Sequence, residues 1–169
     1  MKTRATFPSV GFAVTPLLLI AAGISCLLVG CNSKPSDFDL AAQALHNPDT
    51  NVLAAILARN KGVVTNVSGF DGSTLLHYSL ENTPDVVSSE MLVQAGADVN
   101  QRDITGATPL HRVCECGAKP EAISFLIKHG ADVNLRDGGG RTPLQIALRP
   151  GFGHSDEGVA LLKQAGAKE

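Results

Sequence analysis

At 169 residues the chain has room for one modest domain beside whatever its N-terminus serves. It is 44% hydrophobic, only 4% aromatic and without Trp, so a core must be assembled from Ala, Leu, Val and Ile. A formal charge of −2 excludes the basic footprint of a nucleic-acid binder.

The first thirty residues read as an export signal. Lys2 and Arg4 give a positive start, no charge follows until Lys34, and an apolar run centred on Val14–Val29 ends at Leu28-Val29-Gly30-Cys31. Charged, apolar and small-residue regions in that order are those of a secretory signal, which lies outside the fold. The last four residues resemble the bacterial lipobox. That resemblance implies cleavage before Cys31, a diacylglyceryl thioether on its sulfur and acylation of the new amino group. Two other readings stay open. The run is long enough to span about 30 Å of bilayer as a retained helix, and a signal cut elsewhere would leave Cys31 incidental. Neither requires a Cys directly after a small residue at the end of the run. Asn32 and Ser33 lack the Asp that marks inner-membrane retention in many two-membrane bacteria, so the expected site is the outer membrane, facing the periplasm. Residues 31–36 are then a lipidated Cys and a short tether, with a reach of roughly 10–13 Å. Removing 1–30 takes away two of 14 basic residues and none of 16 acidic ones, so the charge falls from −2 to −4. An acidic domain is repelled by anionic lipid, and the membrane contact is expected through the anchor.

A helix-pair unit follows, from 36 to 66. Ser36 with Asp39 offers a capping box, Leu40–Leu45 a short helix, and Asn47-Pro48 a restart. Val52, Leu53, Ile56 and Leu57 then fall on one helical face, and Arg59–Val64 ends that helix. Three further units occupy 67–100, 101–134 and 135–169. In them Thr74, Thr108 and Thr142 are spaced by 34 residues, as are Gly72, Gly106 and Gly140, and Asn66, Asn100 and Asn134. Such a period means a repeat array. Each unit has a glycine-bearing tip, a Thr that caps a first helix, and a second helix that ends at Gly96, Gly130 or Gly166. The second helices are expected to start at Thr83-Pro84-Asp85, Pro120-Glu121 and Ser155-Asp156-Glu157. Their buried faces are read as Val86, Val87, Met91 and Leu92; Ile123, Phe125, Leu126 and Ile127; and Val159, Leu161 and Leu162. Arg149–His154 makes a longer connection in the last unit.

Thr108-Pro109-Leu110-His111 followed by Gly130-Ala131-Asp132-Val133-Asn134 resembles the ankyrin repeat, as do Thr74-Leu75-Leu76-His77 with Gly96-Ala97-Asp98-Val99-Asn100 and Thr142-Pro143-Leu144-Gln145 with Gly166-Ala167. The resemblance covers 66–167 clearly and extends back to Ser36 as a degenerate N-terminal cap. The departures are a 34-residue period in place of 33, Leu75 for Pro and Gln145 for His. It implies an all-α solenoid of about four helix-turn-helix repeats with short β-turn tips, occupying 37–169. It also implies a structural role for His77 and His111, which tie the turn to Thr and backbone rather than serve as base or metal ligand.

No catalytic constellation stands out. His46, His129 and His154 fit no ligand spacing. Cys114 takes a site where a small buried hydrophobe is expected, and Cys116 lies at a helix end, on a position that the resemblance implies faces the groove. Two residues apart on a helix, their side chains diverge by about 200°, so a mutual disulfide is not expected. Gly138-Gly139-Gly140 follows no strand and forms no phosphate loop. Neither a catalytic residue, a metal nor a cofactor is expected.

Each repeat buries its apolar face only against its neighbours, leaving one elongated binding surface. The resemblance places Phe70, Asp71, Arg102, Ile104, Thr105, Arg136 and Arg141 of the tips on that surface, together with Ser68, and Glu81, Asn82, Glu115 and Cys116 behind them. Phe70 and Ile104 are apolar where packing does not need it. Arg102, Arg136 and Arg141 make the tip row basic, and interfaces favour aromatic and Arg anchors. The expectation is a monomeric, non-catalytic, lipid-anchored module that binds a protein bearing an acidic patch, as an immunity protein or as accessory factor of an envelope enzyme. The alternative is a small thiol-based redox or metal-binding protein using Cys116 and Cys114.

Overall fold

The computed structural model describes residues 35–46, 50–68, 70–81, 86–149 and 155–168. The signal and lipobox, Asn47-Pro48, Gly69, Asn82, the Thr83-Pro84-Asp85 start and His154 lie outside the described residues. Within them are eight α-helices: α1 Asp37–His46, α2 Thr50–Arg59, α3 Leu75–Glu81, α4 Val86–Gln94, α5 Pro109–Glu115, α6 Pro120–Lys128, α7 Pro143–Ala147 and α8 Asp156–Gln164. No helix among the described residues is long and apolar enough to cross a membrane.

Each helix pair packs internally, and the pairs stack. First helices touch in the order α1, α3, α5, α7, and second helices in the order α2, α4, α6, α8. The all-α solenoid that the resemblance implies is the architecture found among the described residues. Two apolar clusters run through Pro35–Glu169. One joins Leu53, Ile56, Leu57, Val63 and Val64 to Leu75 and Leu92. The other joins Leu76 and Leu80 to Leu110, Ile123, Leu126, Leu144 and Leu162. Helix α3 therefore buries adjacent leucines in different clusters and holds the first two repeats to the rest.

Local chemistry explains the helix starts. Ser36 and Asp39 cap α1 reciprocally: Ser36 N–H donates to Asp39 Oδ2 at 3.0 Å and Asp39 N–H to Ser36 Oγ at 3.1 Å. Such a box satisfies two donors the helix leaves open. At the far end of the pair, Arg59 and Asn60 both donate to the Asp37 carboxylate, tying the end of α2 to the start of α1. Second helices close on left-handed glycines, Gly96 at φ 101°, Gly130 at 88° and Gly166 at 86°.

Three expectations need correction. Val86 and Val87 are not core residues of α4; they are 39% and 62% exposed. The helix instead turns Ser88, Ser89 and Leu92 inward, and Ser89 Oγ meets Ser79 Oγ of α3 at 2.9 Å. Paired hydroxyls remove the usual cost of burying polar groups, and this lets two serines occupy a face that hydropathy assigns to valines. Val52 of α2 is likewise 43% exposed beside the buried Leu53. Finally, residues after Arg59 form a 3-10 helix, Lys61–Thr65, whose Val63 and Val64 are buried.

Candidate functional site

The tips are built before the surface they present. Residue 103 opens the third tip. Its Oδ1 accepts from the N–H groups of Thr105 and Ala107 and from Thr105 Oγ1, at 2.6–3.0 Å. Asp137 repeats the arrangement with the N–H groups of Gly139 and Arg141, each at 2.9 Å. Adjacent tips are joined along the stack: Ile104 N–H donates to Asp71 O at 3.1 Å, and Gly138 N–H to Thr105 O at 2.8 Å. The approach is too close for a side chain at 138, where a Cβ would lie 2.5 Å from Thr105 O. Gly138 thus serves tip-to-tip contact.

Beneath the tips the geometry shared by the three repeats rests on one side chain each. Thr74 N–H donates to His77 Nδ1 at 3.1 Å, and Thr108 N–H to His111 Nδ1 at 3.1 Å. With Nδ1 accepting, the proton belongs on Nε2, which donates to Ala107 O at 3.4 Å and Arg141 O at 3.1 Å, both in the next tip. Burial lowers the pKa of His77 to about 4 and lowers that of His111. Both rings are neutral at physiological pH and have both nitrogens engaged, as struts rather than bases. Gln145 substitutes in the last repeat, its Oε1 accepting from Thr142 N–H at 3.0 Å.

Asn100 and Asn134 provide the second link between repeats. Asn100 accepts from Asp132 N–H at 2.9 Å and donates to Gly130 O at 3.2 Å. Asn134 does the same with Lys168 N–H and Gly166 O.

The surface residues expected to meet a partner divide into two groups. Phe70 and Ile104 are 83% and 73% exposed, the two most exposed large apolar side chains among the described residues. They stand at equivalent positions on adjacent tips. Arg102 and Arg136 are exposed on the third and fourth tips. The other group is engaged internally. Asp71 accepts from Ser73 N–H and Oγ and from Tyr78 Oη at 3.0–3.3 Å. Thr105 is held by Asp103. Arg141 pairs with Asp137 at 2.6 Å and lies 3.7 Å from Glu115. Glu115 also accepts from Arg112 Nη1 at 3.0 Å.

Arg112 is the functional-looking residue the sequence reading passed over. Its Nε and Nη2 both donate to Asp103 Oδ2, at 2.9 and 2.5 Å. The result is an ion chain, Asp103–Arg112–Glu115–Arg141–Asp137, that clamps two tips to α5. Its sequence signal is the 34-residue spacing of Asp103 and Asp137, each with an Arg downstream. Burial alone would raise both aspartate pKa values, but the hydrogen bonds from Thr105 and Arg112, and from Arg141, outweigh it and hold them below the ordinary value. Glu81, half-buried on α3, is raised by its burial.

Neither remaining thiol is poised for chemistry. Cys114 and Cys116 are both unpaired. Cys114 is buried, and that burial pushes its thiol far up; Cys116 is raised by desolvation and then by the Glu81 charge. The thiolate is the reactive species, so both shifts oppose redox or metal work. Among the described residues no three His, Cys, Asp or Glu side chains are grouped to hold a metal. His129 instead meets Glu90 Oε2 at 3.0 Å and lies tilted against the ring of Phe125, with centroids 4.5 Å apart.

The family model for ankyrin repeats in many copies matches residues 92–147, and the single-repeat ankyrin model matches 71–104. No curated protein matches the chain.

Proposed function

With residues 71–147 recognised as ankyrin repeats, a fold that serves as a protein–protein interaction module, we propose that this chain is a non-catalytic binding protein held by lipid in a bacterial cell envelope. The partner is a protein, engaged through the tips and the exposed side of the first helices. The observation that carries this reading is the pair Phe70 and Ile104, apolar and 83% and 73% exposed on tips that are fixed by hydrogen bonds. A rigid tip loses little entropy on binding, and buried aromatic and Arg anchors dominate interface energies.

The mechanism is stoichiometric masking or tethering, with Arg102 and Arg136 facing an acidic patch. Two concrete roles fit it: an immunity protein that occludes a toxic effector, or an accessory factor for an envelope enzyme such as a catalase or peroxidase. The anchor is Cys31, and the outer membrane facing the periplasm is its proposed place, supported by Leu28-Val29-Gly30-Cys31 and by Asn32-Ser33. Mass spectrometry of the mature N-terminus is expected to return a triacylated Cys31; an unmodified Cys31 overturns the anchor. For the module itself, Phe70→Ala with Ile104→Ala is expected to abolish function in the cell while Cys116→Ser leaves it intact. The reverse pattern would replace the binding reading with a thiol one.

A further inference from the structure

Four arginines line the tip side of repeats three and four, and their guanidinium edges are used differently. In Arg112 and Arg141 the edge formed by Nε and Nη2 is filled from within the chain. Arg112 gives both groups to Asp103 Oδ2 at 2.9 and 2.5 Å, and Arg141 gives both to Asp137 Oδ2 at 2.8 and 2.6 Å. Arg102 and Arg136 are anchored through the other nitrogen. Arg102 Nη1 donates to Gly106 O at 2.8 Å and to Arg136 O at 2.6 Å. Arg136 Nη1 donates to Gly140 O at 2.7 Å. Among the described residues no carboxylate pairs with either of them. Each is thus a cation held through Nη1 by backbone carbonyls, and among the described residues no hydrogen bond uses its Nε or Nη2.

Resting on the tips as the partner surface, we propose that Arg102 and Arg136 are two preset carboxylate receptors, and that the partner presents them with a linear acidic segment. The segment carries two Asp or Glu side chains, one for each arginine, and an apolar side chain that covers Phe70 and Ile104. The Nε/Nη2 edge accepts a planar carboxylate with two parallel hydrogen bonds, and Arg112 and Arg141 show that this chain uses the same edge for its own aspartates. Pinning through Nη1 lowers the entropy lost when the carboxylate arrives. Arg141, counted with these cations on sequence grounds, is excluded because Asp137 and Glu115 already neutralise it. Repeat two contributes no cation, since Ser68 stands where Arg102 and Arg136 stand. The acidic contacts therefore fall on repeats three and four and the apolar contacts on repeats two and three. This fixes the order of the segment along the stack.

The test is selection of a displayed random 12-residue peptide library on the full-length chain in detergent, followed by affinities of the recovered peptides. The expected result is enrichment of peptides with two acidic residues to one side of an apolar residue. Their affinity should fall about tenfold to hundredfold in Arg102→Gln and in Arg136→Gln, and should fall with added salt. Arg136→Gln is the cleaner variant, because it removes one tip bond rather than two, and its thermal midpoint reports whether the fold survives. Lysine at either position should not restore binding, because it lacks the bidentate edge. Recovered peptides that are basic or uncharged, or acidic peptides indifferent to both glutamine variants, overturn the carboxylate receptors. If such peptides still lose binding in Phe70→Ala with Ile104→Ala, the tip surface stands without them. Indifference to all four substitutions, or no enrichment at all, overturns the surface as well. Competition by inorganic phosphate at concentrations matching the peptide would show a general anion site and also overturn the proposal.

Discussion

His77 and His111 each do two jobs with one ring: they close their own turn at Nδ1 and reach the next tip from Nε2. Removing the ring leaves a buried Thr N–H and a carbonyl without partners, so His111→Ala should cost about 2–3 kcal/mol. His111→Gln should cost about 1 kcal/mol, because Gln145 already fills the same role against Thr142. Urea unfolding of the two variants checks the order; equal losses would mean that the ring acts by packing alone. The same residues set an acid limit. His77 has a folded pKa of about 4 against an ordinary 6.5, so the unfolded chain binds the proton more readily between those values. Its contribution is complete above pH 6.5 and is lost as pH falls toward 4, by at most about 3 kcal/mol. His111 acts in the same direction. Asp103 and Asp137 are depressed below 3.8, so what they add is present above that value and is lost only at lower pH. The urea midpoint should therefore drop between pH 7 and pH 4.5, and the drop should shrink in His77→Gln. A midpoint flat over that range contradicts the neutral-strut account.

At the scale of elements, helix starts and stops were legible because caps and glycines are local chemistry. Ser36 with Asp39, Thr108-Pro109, Thr142-Pro143 and Gly130 all do what their residue types require. The buried face of α4 was not legible. Val86 and Val87 score as core by hydropathy, and nothing local says that Ser79 waits across the interface to satisfy Ser89. The charge balance of Arg141 was only half legible: Asp137 lies four residues before it, but its second partner, Glu115, is brought to it only by the stacking of the repeats. Close packing between elements yields a further expectation. Gly158 of α8 sits against the turn after α5, where a Cβ would fall 2.0 Å from Ala118 O and 3.0 Å from Ile123 Cδ1. Despite the gain in helix propensity, Gly158→Ala should destabilise by about 1–3 kcal/mol. Thermal unfolding measures it, and a variant as stable as the parent would mean that α8 can withdraw from this contact freely.

For the molecule as a whole, the architecture was readable because it repeats. Three copies of one pattern in register leave few other folds, and the stacking of first helices on first helices and second on second follows. Function was less readable, since the repeats specify a scaffold and only the variable tips carry identity. The central claim is that Phe70 and its neighbours on the tips meet a protein partner. Site-specific photo-cross-linking in living cells tests it most directly, with the photoreactive residue at position 70 and, as control, at Glu121 of α6. The account predicts one discrete protein adduct from position 70, lost when Arg102 and Arg136 are changed to Gln, and none from position 121. No adduct from position 70, or the same adduct from both positions, would contradict it.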